Sequence, residues 1–159
     1  MKLAAIDIGS NSIKLAVADA VDSDSFAVLT REKDVIRLGH ETLRKGRLSR
    51  SAIDRAIGYI QRYKTIAETH RSEAIVTVAT ASVREASNAA QFVKEVERQT
   101  GLRVEILSGV EEARLIGLAA AHGCSLKAAT SINIDIGDDL IVRNRRMRGE
   151  PFRSQARVL

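Results

Sequence analysis

The nine residues from Ala4 to Ser12 read AAIDIGSNS and show how the chain begins to fold. An apolar run over residues 2–8 predicts a strand, a polar turn follows at residues 9–12, and the apolar pattern resumes over residues 13–18. The chain is therefore predicted to begin with a β-hairpin. The same stretch also contains the first candidate functional residues.

Asp7 interrupts an apolar strand, where a buried carboxylate is costly unless it is paired or bound to a metal. The turn Gly9, Ser10, Asn11 and Ser12 offers backbone N–H groups, two hydroxyls and an amide, and its glycine permits close approach of an anion. This composition is typical of a phosphate cradle. The alternative is an ordinary hairpin turn preceded by a solvated aspartate.

A short internal repeat links the two ends of the chain. Residues 5–9 read AIDIG and residues 133–137 read NIDIG, so Asp135 and Gly137 repeat Asp7 and Gly9. A repeat at this spacing suggests a duplicated lobe. Coincidence between two strand ends is the alternative.

The remaining pattern predicts α/β structure. Residues 49–70 carry the apolar spacing of an amphipathic helix with Ser49 as N-cap, and residues 74–79 read as a parallel strand covered on both faces. The other predicted elements are a strand within 25–36 that Asp34 bends or ends, a helix capped by Ser87 and stopped at Gly101, a strand at 104–107, a helix at 111–121 and a strand at 131–136. The order predicts a mixed sheet flanked by helices.

Arg84 follows the strand at 74–79, together with Thr80 and Ser82. Ligands of open α/β sheets bind beyond the carboxyl ends of strands, and an arginine there can hold a phosphate through two hydrogen bonds. The alternative is a solvent-facing arginine beside Glu85.

Two adjacent glutamates open the last predicted helix. Ser108 and Glu111 have the spacing of a capping box, so helix capping explains Glu111. Neighbouring helical positions point about 100° apart, so only one of the pair can serve the cap. Glu112 is then free to face a cleft.

Composition narrows the functional classes. No apolar run approaches the roughly 18 residues that span a membrane, and the start of the chain is too short and too soon acidic for a signal peptide. A single Cys124 cannot form an internal disulfide, which suggests a reducing cytoplasm. With three Phe, two Tyr and no Trp, stacking platforms are scarce and no specific nucleic-acid partner is expected.

The segments at 4–12, 80–89 (TASVREASNA) and 108–116 (SGVEEARLI) together resemble the exopolyphosphatase/guanosine pentaphosphate phosphohydrolase (Ppx/GppA) family. The resemblance runs in order from Met1 to about Gly137. It includes the pair Leu38-Gly39 and the sequence GRLS at residues 46–49. It implies a ribonuclease-H-like lobe of the actin-like ATPase superfamily. It also implies Mg²⁺-assisted release of terminal phosphate from inorganic polyphosphate or guanosine pentaphosphate.

The resemblance assigns roles by position. Glu112 resembles the general base that activates water, and Asp7 and Asp135 resemble carboxylates that hold the metal. The positions resembling phosphate contacts are Gly9, Ser10, Asn11, Ser12, Arg84 and Gly137. An actin-like kinase would share the first turn but not the Arg84 and Glu112 segments.

The chain departs from the family pattern after Gly137. Asp138 and Asp139 stand where the family has glycines, and Val142 stands where it has a glutamate. Of the Lys and Arg residues, six lie after residue 142, against the single acid Glu150. Such an unpatterned basic tail is predicted to be disordered and suggests an altered or truncated reading frame.

The predicted organisation is a first lobe at 1–130, a truncated start of a second lobe at 131–142 and a basic tail at 143–159. The isolated chain could therefore be inactive, so the alternative function is a non-catalytic remnant that binds polyphosphate, a nucleotide or a partner lobe. The unpartnered strand at 131–136 predicts a homodimer or aggregation.

Overall fold

A computed structural model describes residues 1–20, 26–123, 130–136, 140–147 and 153–158. The chain divides into two compact units, Met1–Ile106 and Leu107–Leu159, and each is described by itself.

The first unit is built on a five-stranded sheet in the order β3-β2-β1-β4-β5. Its strands are β1 (Lys2–Ile8), β2 (Ser12–Ala20), β3 (Phe26–Val35), β4 (Ala74–Ala79) and β5 (Val104–Ile106). The first three strands are antiparallel neighbours, whereas β4 runs parallel to β1 and β5 parallel to β4. The mixed sheet confirms the predicted fold class.

Helices cover one face of this sheet. They are α1 (Leu38–Lys45), α2 (Arg50–Thr69), α3 (Ala81–Arg84) and α4 (Ala89–Thr100). The alternate residues Ala4, Ile6 and Ile8 of β1 are buried beneath the apolar stripe of α2. As predicted, α2 begins after Ser49, whose hydroxyl accepts the Ala52 N–H at 3.1 Å. No helix in the described ranges is long and apolar enough to cross a membrane.

The sequence suggested that Asp34 bends or ends the third strand. Strand β3 instead includes Asp34 and continues to Val35. The Asp34 carboxylate accepts hydrogen bonds from the Tyr63 hydroxyl at 2.7 Å and from Arg62 at 3.2 Å. These partners on α2 satisfy the carboxylate, so the strand tolerates an acid. The charged residues of this edge strand also discourage pairing with another chain.

The prediction that β4 is covered on both faces is wrong for the described structure. Thr77 and Ala79 are buried, but 53% of Val76 on the opposite face is exposed. The apolar run predicts a buried strand, yet the helices of this unit pack on one face only.

The predicted cap of α4 is also wrong. Asn88, not Ser87, holds the N-cap position, and its side chain makes no capping hydrogen bond. The Asn88 amide instead brackets Leu48, accepting from its N–H and donating to its carbonyl, both at 2.9 Å. The tertiary contact to the loop before α2 thus replaces the local cap. Gly101 ends α4 in a left-handed conformation, as predicted.

The second unit contains α5 (Gly109–Gly123) and a three-stranded antiparallel sheet in the order β6-β7-β8. Its strands are β6 (Thr130–Ile136), β7 (Leu140–Met147) and β8 (Arg153–Val158). Strands β7 and β8 therefore occupy much of the segment that was predicted to be a disordered tail. Strand β7 pairs with β6 and with β8, and this pairing satisfies backbone N–H and C=O groups although the segment is rich in arginine. Strand β6, predicted to be unpartnered, pairs with β7 along one edge.

Candidate active site

Asp7 lies near the carboxyl end of β1, one residue before the strand ends. It faces Lys14 across the hairpin, and the Lys14 Nζ approaches its Oδ2 at 3.7 Å. About 40% of the Asp7 side chain is exposed. The carboxylate is therefore neither fully solvated nor sealed in the core, and it can be reached from one side.

Partial burial raises the pKa of the Asp7 carboxyl above its ordinary 3.8, because desolvation disfavours the charged form. Lys14 opposes this effect through its charge and its hydrogen bond, and it offsets only part of it. Any additional positive charge would stabilise this partly desolvated carboxylate. A cation placed beside Asp7 would therefore favour its ionised form.

The turn after β1 is tightly closed. The Gly9 N–H donates to the Ser12 carbonyl at 3.0 Å, and a Cβ on Gly9 would lie 3.1 Å from that carbonyl oxygen. Glycine is thus favoured at this position for lack of space. The turn carbonyls are also engaged: Asn11 accepts from the N–H groups of Ile36 and Arg37, at 2.9 and 3.0 Å. The turn is rigidly held rather than an open hairpin loop.

The loop after β4 lies beside this turn. The Thr80 N–H donates to the Ile8 carbonyl at 3.1 Å, which joins the carboxyl ends of β1 and β4. Ser82 is buried, and the Arg84 side chain is only 20% exposed, with its Nε 3.4 Å from a Glu85 carboxylate oxygen. The structure therefore brings the turn at residues 9–12 and the Arg84 segment to the same edge of the sheet.

The start of α5 separates the roles of the two glutamates. The Glu111 N–H donates to the Ser108 hydroxyl at 3.2 Å, which confirms the predicted cap. The Glu111 carboxylate pairs with Arg114 at 2.6 Å, and this arginine lowers the pKa of Glu111. Glu112 is half-buried and its N–H donates to the Ser108 carbonyl at 2.9 Å. Glu112 belongs to the second unit, so its position relative to Asp7 is not described.

The second hairpin repeats the register of the first. Asp7 pairs with Lys14 and Ile8 with Ile13, whereas Asp135 pairs with Val142 and Ile136 with Ile141. The short repeat in the sequence thus has a counterpart in backbone pairing. Gly137 lies outside the described residues, and for Asp135 only the backbone in β6 is described.

The donor set around Asp7 suits a loosely held magnesium ion. Within the described ranges, no group of three His, Cys, Asp or Glu side chains converges on a metal position. Mg²⁺ commonly binds through one or two carboxylates and completes its shell with water and substrate phosphates. The Asp7 carboxylate is partly exposed and could supply one such ligand.

Sequence reasoning missed two participants in this site. Lys14, the charge partner of Asp7, lies opposite it in the hairpin register, which a strand-pairing argument could have found. The segment 36–39 was noted without a role, yet Gly39 donates its N–H to the Ser10 carbonyl at 2.8 Å. A hydrogen bond between a turn and a segment nearly thirty residues away leaves no signal in local composition.

The five-stranded mixed sheet with helices on one face is a ribonuclease-H-like lobe of the actin-like class. The model of the Ppx/GppA phosphatase family matches residues 16–138, and the chain belongs to this family. The resemblance seen in the three motifs is thereby confirmed.

Relatives and solved structures agree with this assignment. The chain is 32% identical over 137 residues to exopolyphosphatase 1 of Mycobacterium leprae, covering 86% of the chain but 40% of that protein. An exopolyphosphatase from Cytophaga hutchinsonii superposes with a TM-score of 0.90 at 25% identity, covering 99% of the chain and 50% of that structure. The Aquifex aeolicus Ppx/GppA family member superposes with a TM-score of 0.84 at 29% identity, covering 100% of the chain and 51% of that structure. The chain thus spans about half the length of these two solved structures and 40% of the mycobacterial protein.

Proposed function

We propose that this chain is the first lobe of a phosphoanhydride hydrolase that releases terminal phosphate from inorganic polyphosphate or guanosine pentaphosphate. The observation that carries the proposal is the junction of the turn at residues 9–12 with the loop at residues 80–84, through the bond from Thr80 N–H to the Ile8 carbonyl. Both segments follow strands at one sheet edge, where α/β proteins bind anions. The family membership supports phosphatase chemistry.

Each residue has a role that suits its surroundings. The turn at residues 9–12 and Arg84 would bind the terminal phosphate, and Asp7 would hold Mg²⁺, which neutralises phosphate charge when bound. Glu112 would accept a proton from water as the water oxygen bonds to the terminal phosphorus. The bond from that phosphorus to the bridging oxygen then breaks, and the shortened chain leaves.

Glu111 is a poor candidate for the general base. A general base takes a proton from water, and Arg114 holds the Glu111 carboxylate at 2.6 Å. The lowered pKa of Glu111 also makes it a weaker base.

We also propose that the reaction takes place in the cytoplasm, because the sequence has a single cysteine.

The decisive experiment measures phosphate release from polyphosphate and from guanosine pentaphosphate, with Mg²⁺ and with EDTA. We expect Mg²⁺-dependent release by the full chain, and Glu112→Gln should lower kcat about 10²- to 10⁴-fold because general-base catalysis is lost. Glu111→Gln is the matched control and should keep kcat within about a factor of three, since it breaks a surface pair of small energetic value. Equal rates for Glu112→Gln and the parent would remove Glu112 from the mechanism.

A second candidate function is binding without turnover. It is favoured by the sequence of the second hairpin, which has Asp138 and Asp139 where the family has glycines and Val142 where the family has a glutamate. Acids at that position would repel phosphate. Calorimetric binding of tripolyphosphate with no phosphate released over hours would support this candidate, and sustained turnover would exclude it.

A further inference from the structure

Arg37 has an unusual backbone conformation. Its φ of 52° and ψ of 44° lie in the left-handed region, at the N-cap of α1, and its side chain makes no capping hydrogen bond. In the described part of the chain, Arg71 is the other non-glycine residue with positive φ. A left-handed conformation costs free energy for any residue with a Cβ, and glycine or asparagine would adopt it more readily. Position 37 thus carries an arginine although its backbone conformation favours glycine.

The backbone of Arg37 is fixed to the phosphate-cradle turn. Its N–H and that of Ile36 both donate to the Asn11 carbonyl, at 3.0 and 2.9 Å, and Gly39 donates to the Ser10 carbonyl at 2.8 Å. A side chain at position 37 is therefore anchored beside the turn. Strained residues held in this way by their surroundings are concentrated at binding and catalytic sites.

The Arg37 guanidinium is exposed, and in the described ranges it takes part in no ion pair or hydrogen bond. By contrast, Arg84 lies beside Glu85 at 3.4 Å. Arg37 follows β3 and Arg84 follows β4, and these two strands lie on opposite sides of the β1–β2 hairpin in the sheet. The two arginines thus belong to segments that reach the turn from strands on opposite sides of it.

A buried hydroxyl in the same corner has unused hydrogen-bonding capacity. Ser82 is 2% exposed and its Oγ has no hydrogen-bond partner among the described residues. A Cβ on Gly39 would lie 3.1 Å from this Oγ and 2.9 Å from the Ser10 Cβ, so the three residues meet at the first turn of α1. Buried polar groups are normally paired, and an unpaired one is uncommon away from functional sites.

We propose that Arg37 binds a second phosphate group of a linear oligophosphate, next along the chain from the terminal phosphate held by the turn and Arg84. This inference rests on the proposed function, because it requires the turn to bind phosphate. A planar guanidinium forms paired, charge-assisted hydrogen bonds with phosphate oxygens, which suits it to this role. The ligand class is an oligophosphate, either free polyphosphate or the phosphate chain of a nucleotide.

Arg37→Gly tests the proposal without harming the fold. Glycine adopts a φ of 52° readily and keeps the backbone N–H that bonds Asn11, so the melting temperature should equal or exceed that of the parent. Arg71→Gly is the matched control, since it removes the same charge and relieves the same conformation in the exposed turn after α2.

Calorimetry at fixed ionic strength with Mg²⁺ would compare orthophosphate, tripolyphosphate and guanosine pentaphosphate as ligands. Arg37→Gly should weaken tripolyphosphate binding about tenfold and leave orthophosphate binding unchanged, and Arg37→Lys should restore part of the loss. Arg71→Gly should bind all three as the parent does. A loss with guanosine pentaphosphate alone would assign the contact to a nucleotide phosphate chain.

Two negative outcomes are distinct. If the parent binds the phosphate compounds but Arg37→Gly and Arg71→Gly bind tripolyphosphate and guanosine pentaphosphate equally well, the role of Arg37 is overturned and the proposed function stands. If the parent binds none of them, both proposals fail. An equal loss of orthophosphate and tripolyphosphate would also overturn the second-phosphate contact, since it would place Arg37 at the terminal group.

Discussion

Asp7 combines two opposing requirements at one position. Its partial burial raises the carboxyl pKa, and Lys14 at 3.7 Å offsets only part of the desolvation. A position selected for stability alone would carry an apolar or neutral residue. The retained carboxylate is consistent with a site in which a cation supplies the missing compensation.

We expect Asp7→Asn to stabilise the fold at pH 7 by less than about 1 kcal/mol, because the exposed part of the carboxylate is screened by solvent. A carboxyl whose folded pKa is raised stabilises the fold fully below its ordinary pKa of 3.8, and this contribution is lost as the pH rises through the folded value. The gain from asparagine should therefore disappear at pH 3. Urea unfolding at both pH values would measure it.

Asp54→Asn is the control, since Asp54 is exposed on α2 and pairs with Arg50 at 3.1 Å. It should give no gain at pH 7. A destabilised Asp7→Asn variant at pH 7 would contradict the prediction and would indicate that Lys14 outweighs the desolvation.

Single residues could be predicted from the sequence where the chemistry is local. The Ser108 cap, the Ser49 cap and the Gly101 stop depend on neighbours within a few positions, and all three are confirmed. Asn88 and Asp34 could not be predicted in the same way, because their partners Leu48 and Tyr63 are distant in sequence. Tertiary hydrogen bonds decided those two positions.

At the scale of elements, residues 36–39, which lead into α1, support the turn at residues 9–12 through backbone hydrogen bonds. Gly39 is the point of closest approach, since a side chain there would meet Ser10 and Ser82. The hairpin and the parallel strand were predicted from apolar runs, and the long helix from the spacing of its apolar residues. The support of the turn by residues 36–39 depends on chain geometry and has no periodic signature.

Gly39→Ala should destabilise the first unit by about 1–3 kcal/mol, because its Cβ would lie 2.9 Å from the Ser10 Cβ and neither backbone can move freely. Gly58→Ala is the control in the interior of α2, where a Cβ would meet nothing within 4 Å. That change should instead stabilise by about 0.5–1 kcal/mol, since alanine favours helix. Thermal unfolding of both variants would measure the difference, and equal effects would refute the close approach at Gly39.

At the scale of the whole molecule, the three-stranded sheet of the second unit has two edge strands. Strand β6 pairs with β7 on one side and is an edge strand of its sheet, as is β8. An edge strand presents unpaired N–H and C=O groups to other chains. Self-association through β6 therefore remains a prediction for this chain.

Light scattering over a series of protein concentrations would test the association. We expect the mean mass to rise from that of a 17.3 kDa chain towards twice that value or beyond. A constant monomer mass at the highest concentration would contradict the prediction. A second lobe supplied by another protein would compete for the same edge and should lower the mean mass of the self-associated form.

The matching registers of the two hairpins have a consequence for engineering. Because Ile8 pairs with Ile13 and Ile136 with Ile141, the connecting segments 9–12 and 137–140 have equal length. We therefore expect that residues 9–12 could replace residues 137–140 without a change in the pairing of Ile136 with Ile141.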